Sequence, residues 1–168
     1  MPPHRMKIAY ADPPYIGCAD KYVEKQEVDH AKLMLELETY DGWALSCSTP
    51  SLKILFPIAP FGTRIGAWVK PFCSFKPNVN PAFAWEPVIF KPARARGRDI
   101  DTVPDWVSAN ITLKRGLVGV KPEKFCFWLF EILGMYPDDE LIDLYPGTRA
   151  VTKAWKKLSV YSLHLFLL

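Results

Sequence analysis

Histidine and cysteine are scarce in this chain: three and four, respectively, in 168 residues. No two cysteines form a Cys-x-x-Cys pair and no two histidines have ligand spacing, so the sequence holds no zinc motif and no metal is expected. Cys18, Cys47, Cys73 and Cys126 lie in apolar runs, which suits reduced, buried thiols and a cytoplasmic protein. A membrane-length apolar run is also missing. The strongly apolar stretch at residues 158–168 is too short to span a bilayer, and the N-terminus lacks a signal-peptide pattern. Neither sign of charge dominates. A net charge of +3 permits a nucleic-acid partner without requiring one. What remains is a globular composition, 49% hydrophobic, of a length suited to one domain over residues 1–168.

Apolar periodicity and turn residues divide the chain. Residues 7–11 read as a strand and 17–28 as a loop. Asp29 caps a helix over 30–39. A short strand at 43–46 follows. Thr49 and Pro50 open a helix to about residue 55, with Thr49 as cap. Strands are expected at 64–69 and 87–90, with a Pro- and Phe-rich loop between them. Residues 91–119 have weak periodicity and a basic cluster, Arg94, Arg96 and Arg98. Pro122 opens a helix over 123–133 whose broad apolar face is Phe125, Cys126, Trp128, Leu129, Ile132 and Leu133. A strand at 141–144, a helix at 150–157 and a last strand within 159–168 complete the pattern. Strands alternate with helices, which predicts an α/β fold with a mostly parallel sheet.

Two strand ends carry chemistry. Asp12-Pro13-Pro14-Tyr15 follows the apolar run at 8–11. It offers a carboxylate, a carbonyl held by a rigid Pro-Pro pair and an aromatic ring, the groups that grip a planar base and accept from its amino group. The tetrapeptide alone is equally a capped turn with Tyr15 as packing. Asp143-Leu144-Tyr145-Pro146-Gly147-Thr148 is a second strand end, where a glycine turn lets a ligand approach the backbone and helix N-terminal amides. Open α/β sheets bind ligands at such ends. Alone it is equally an ordinary structural turn.

Together the two resemble the amino-methyltransferases that use S-adenosylmethionine, specifically DNA adenine methyltransferases of bacteria and phages. Asp12-Pro13-Pro14-Tyr15 resembles the catalytic motif, and Asp143 to Gly147 the cofactor motif Asp-x-Phe-x-Gly-x-Gly. Lys121-Pro122 is similar to the Lys-Pro that precedes the cofactor motif. Trp68-Val69-Lys70 and Trp85-Glu86-Pro87-Val88-Ile89 resemble later sheet strands. The catalytic motif comes first, as in the permuted beta class. The resemblance spans residues 7 to about 155.

That resemblance implies a single Rossmann-like domain with one antiparallel strand, lacking the last strands of the family. It implies S-adenosylmethionine as cofactor, held by Asp143, Tyr145, Pro146, Gly147, Thr148 and Ala11. Lys121 reaches the cofactor carboxylate or snorkels over the sheet rim. Asp12 and the Pro13 carbonyl would accept from the adenine amino group while Tyr15 stacks on the ring. Phe72 or Phe75 would cover the other face. Arg94, Arg96 and Arg98 would meet DNA phosphates, with RNA not excluded and 91–119 as target-recognition segment. The setting is the bacterial cytoplasm, the host's for a phage protein.

Two departures from the family keep a second reading open. Arg149 stands where the family has its second glycine, where it crowds the cofactor or pairs with its carboxylate. No Asp or Glu occurs among residues 144–168, where the family places its ribose-binding acid. The chain is therefore either an active enzyme or a nucleic-acid-binding or partner subunit on a degenerate fold. The apolar tail is either a homodimer contact or the strand that completes the sheet.

Overall fold

The computed structural model describes residues 4–21, 26–72, 76–112 and 120–165. Strands β1 (Lys7–Ala11), β2 (Gly42–Ser46), β3 (Arg64–Val69), β4 (Trp85–Lys91), β5 (Trp106–Ser108) and β6 (Glu140–Asp143) form one sheet in the order β5-β3-β4-β2-β1-β6. β1 is parallel to β2 and β6, and β3 to β5. β4 alone runs the other way, antiparallel to both β2 and β3. This is the mostly parallel sheet with an antiparallel strand that the sequence predicts.

Helices cover both faces. Leu33, Met34 and Leu37 of α1 (His30–Leu37) and Leu55 of α2 (Thr49–Leu55) pack with Ala9, Trp43, Leu45 and Ile89 on one side. On the other, α3 (Glu123–Ile132) and α4 (Ala150–Leu165) pack on Ile8, Tyr10, Ala44, Val88 and Phe90. All six residues of the predicted α3 face are buried. Each large apolar side chain buried this way contributes roughly 1.5–3 kcal/mol. Phe125 centres an aromatic cluster, with ring centroids 5.3 Å from Trp68 and 5.7 Å from Trp128. Trp128 explains Gly66 on β3, because a Cβ there would lie 2.9 Å from the indole Cη2.

Local signals act as expected at α1, where the Asp29 side chain accepts from the Lys32 amide. At α2 the cap is Ser48 instead of Thr49, its Oγ accepting from the Ser51 amide at 3.2 Å. Pro122 is the N-cap of α3. The predicted last strand is corrected: residues 159–165 continue α4, and 166–168 lie outside the described residues. Residues 150–165 contain neither Gly nor Pro, so nothing ends the helix once begun. β5 escapes sequence reading because three residues show no period. Cys47 and Cys126 are buried, and burial pushes both thiols up to about 12. No described helix is long and apolar enough to cross a membrane.

Candidate active site

The chain leaves β1 toward β2 on one side, and β6 docks on the other. Between β1 and β6 the strand order reverses, and in open α/β sheets the crevice at that switch point is where ligands bind. Tyr10 and Asp143 are register partners there, and the Leu144 amide donates to the Tyr10 carbonyl at 2.9 Å. The two motifs singled out in the sequence therefore leave the sheet side by side.

β4 starts at this same edge because it runs antiparallel. Its Glu86, paired in register with Trp68, points into the aromatic face with 6% of its side chain exposed. Lys70 follows β3, and Lys121 precedes α3. These elements assemble a chain of charges. Lys121 Nζ lies 3.0 Å from Asp12 Oδ2 and 3.1 Å from Oδ1, and donates to Glu86 Oε1 at 2.6 Å. Lys70 Nζ holds the other oxygen, Glu86 Oε2, at 3.0 Å. Two carboxylates and two ammonium groups balance to zero. Exposure increases outward: 5% for the Lys121 side chain, 23% for Asp12.

Burial pushes the Asp12 carboxyl up; Lys121 opposes it and Glu86 adds to it, leaving the group at about 6. Burial acts the same way on Glu86, but Lys121 and Lys70 outweigh it and hold that carboxyl below its ordinary value. Burial disfavours the Lys121 charge, yet Asp12 and Glu86 hold it well above the usual lysine range. Tyr15 is half-buried beside the same charges; burial raises its hydroxyl, with Lys121 opposing. Tyr10, fully buried, shares a 2.9 Å hydrogen bond with Ser46 Oγ and is likewise raised by burial first and then by Asp12. Lys121 is thus no rim lysine: it is buried between two carboxylates.

The end of β6 is built differently. Asp143 Oδ2 accepts from the Thr152 hydroxyl at 2.7 Å, while Oδ1 is buried and has no hydrogen-bond partner. Burial raises this carboxyl against the Thr152 contacts. Gly147 at φ +42° and Arg149 at φ +58° both turn left-handed, and the Arg149 amide donates to the Pro146 carbonyl. Arg149 thus adopts a backbone that glycine takes without strain. A cleft of about 400 Å³ lies beside the turn, with Asp143, Arg149, Lys153 and Lys156 in its walls.

The remaining predicted residues scatter. Ala11 and Pro13 are buried, and Pro14 and Tyr145 are half-buried near the strand ends. Phe72 is 58% exposed after β3; Phe75 lies outside the described residues. The basic cluster is at the opposite edge of the sheet, because β4 carries the chain away from Asp12 before residue 92. Arg94 donates to both oxygens of Asp139 and to the Gly134 and His4 carbonyls, beside the starts of β1 and β6. Arg96 donates to the Glu131 carbonyl at the end of α3. Arg98 is exposed in the same loop. The direction of β4 thus puts this cluster at the end of the sheet away from Asp12. Glu86 and Lys70, by contrast, belong to the charge network although sequence reading gave them no role. Their signal is a charged residue just after β3, Lys70, and another within the apolar β4, Glu86.

No protein-family model and no curated protein sequence matches this chain. Solved structures do. The M1.HpyAVI–SAM complex aligns with a TM-score of 0.64 at 14% identity, covering 92% of this chain and 79% of that one. A crystal structure of M1.HpyAVI aligns at 0.57 and 14%, covering 92% and 77%. The chain shares the fold of M1.HpyAVI.

Proposed function

We propose that this chain transfers a methyl group from S-adenosylmethionine to the exocyclic amino group of adenine in DNA. The observation that carries this reading is the meeting of Asp12-Pro13-Pro14-Tyr15 and the Asp143 turn at adjacent strand ends. The motif order seen in the sequence and a neighbour of the same fold solved with SAM support it.

The residues at the β6 end fit the cofactor, since the unpartnered Asp143 Oδ1 is an acceptor waiting for a donor. Asp143, Tyr145, Pro146, Gly147, Thr148 and Ala11 would hold it. When bound, it supplies an electrophilic sulfonium methyl. Lys121, committed to Asp12 and Glu86, acts on the base side. Asp12 and the Pro13 carbonyl accept from the amino group, drawing its nitrogen toward a tetrahedral shape and freeing the lone pair. These bonds strengthen as positive charge grows on nitrogen, so they favour the transition state over the ground state. Tyr15 stacks on the ring, and Phe72, exposed after β3, covers the other face. A base reaches such a pocket only out of the duplex stack. The nucleic acid then contacts the connection between β3 and β4, where Phe72, Lys76 and Phe83 are exposed.

Calorimetric titration with S-adenosylmethionine, then tritiated methyl transfer to DNA and RNA of varied sequence, tests the proposal. Binding and transfer to adenine are expected. A folded protein that binds no cofactor at millimolar concentration sinks it. One observation favours a second reading, a nucleic-acid-binding or partner subunit without activity: Arg149 and two lysines line the cofactor-end cleft. DNA binding without cofactor binding would establish that alternative.

A further inference from the structure

The network around Asp12 contains a carboxylate that the methyl-transfer reading does not use. Glu86 is closed off from solvent, and both of its oxygens are occupied by ammonium groups from different elements, Lys121 at 2.6 Å and Lys70 at 3.0 Å. Asp12 shares the first of these ammonium groups and is the more exposed carboxylate. We propose that Glu86 is a positioning residue for the Asp12 site: it anchors Lys121 so that Lys121 does not occupy both Asp12 oxygens and Asp12 keeps lone pairs available to a substrate amino group. This rests on the reading of Asp12 given above.

The argument is one of charge and geometry. With Glu86 present, Lys121 has a second carboxylate to hold it. An incoming amino N–H can take over one Asp12 contact without stranding a buried ammonium. Without Glu86, Lys121 is left with Asp12 as its one carboxylate and Lys70 loses its partner. Lys121 then collapses onto Asp12, occupies its oxygens and leaves a net positive charge where the reacting nitrogen becomes positive. Lys70 is the outer anchor. Removing it releases Glu86 toward Lys121 and loosens the hold of Lys121 on Asp12. The two variants therefore move Asp12 in opposite directions, and a loss of kcat at unchanged cofactor KM in Glu86→Gln separates positioning from a merely structural role. The groups facing Asp12 are Lys121 before α3, Glu86 from β4, Asp143 from β6, and Tyr10 and Tyr15 from its own segment.

The experiment is carbon-13 NMR titration of the aspartate carboxyls in the full chain, with Asp12→Asn identifying the Asp12 signal, and circular dichroism to confirm folding. In Glu86→Gln the Asp12 midpoint is expected to fall by about one pH unit or more, and in Lys70→Met, a part-exposed site that tolerates change, to rise. Methyl transfer by Glu86→Gln should drop at least about tenfold in kcat with little change in KM for the cofactor, and Glu86→Asp should recover part of it. An unchanged Asp12 midpoint in both folded variants, or shifts of the same sign, overturns the proposal. A wild-type protein without methyl transfer, but with the two opposite shifts, overturns the function assigned to the site and leaves the positioning role standing. Transfer without the shifts does the reverse.

Discussion

The two strand ends that meet at the switch point are opposites in construction. After β1, the charges of the network have partners: Asp12, Lys121, Glu86 and Lys70 form a neutral set, with both lysines over the Trp68 ring. After β6, Asp143 has an oxygen without a partner, Arg149 sits in a left-handed backbone, and a cleft with three cations stays open. A site that must position a reacting atom benefits from an environment already assembled before substrate arrives. A site that must bind and release a small molecule benefits from unpaired acceptors. The contrast separates a part that holds geometry from a part that takes up a ligand.

The contrast breaks if the charge network can be dismantled cheaply. Lys121→Met leaves two buried carboxylates without their shared cation and is expected to cost about 3–5 kcal/mol, read by urea unfolding. A loss below about 1 kcal/mol would mean that the set is hydrated and not sealed. Next in size is a pair of alanine variants. Asp12→Ala should reduce methyl transfer about 10²–10³-fold in kcat while cofactor affinity holds. Asp143→Ala should do the reverse, raising KM for the cofactor with kcat largely spared. Matching effects from both would erase the division of labour.

A pH series sharpens the comparison further. Asp12 is raised from its ordinary 3.8 to about 6, so the folded protein keeps that proton to higher pH than the unfolded chain. Its contribution to stability therefore declines as pH rises across that window and is level above it. Wild type should lose stability relative to Asp12→Asn over the same range, while the transfer rate climbs through an acid limb near pH 6. The smallest effect is expected from Arg149→Gly. Releasing a left-handed backbone gains roughly 1 kcal/mol, partly offset by the freer unfolded chain, so thermal melting should rise slightly. A fall in melting temperature would show that the arginine side chain stabilises the turn.

How much of this was legible in the sequence depends on range. β1 and β3 were readable to the residue because apolar runs and flanking turn residues are local. α1 and α3 were readable because cap, period and breaker act within a turn or two. The ligand edge was readable at Asp12 and Asp143, where a strand ends in residues with unusual chemistry. The direction of β4 was not readable in the residues themselves, and it decides which loops share an edge. Hence Glu86 and Lys121, 35 residues apart, gave no sign of their bond, and Arg94 gave no sign that Asp139 claims it. The tail beyond residue 158 is apolar enough for a strand, but with no Gly or Pro to stop it α4 runs on to Leu165.

The reversed strand also has a consequence for how such a protein can change. Because β3 leaves and β4 enters at the ligand edge, the segment joining them is a rim that can lengthen or change sequence without shifting either strand. The loop after β4 is pinned far away by Arg94 and Asp139. Swapping the first segment between related chains would transplant what the rim touches. Swapping the second would alter only how the underside of the sheet is tied together.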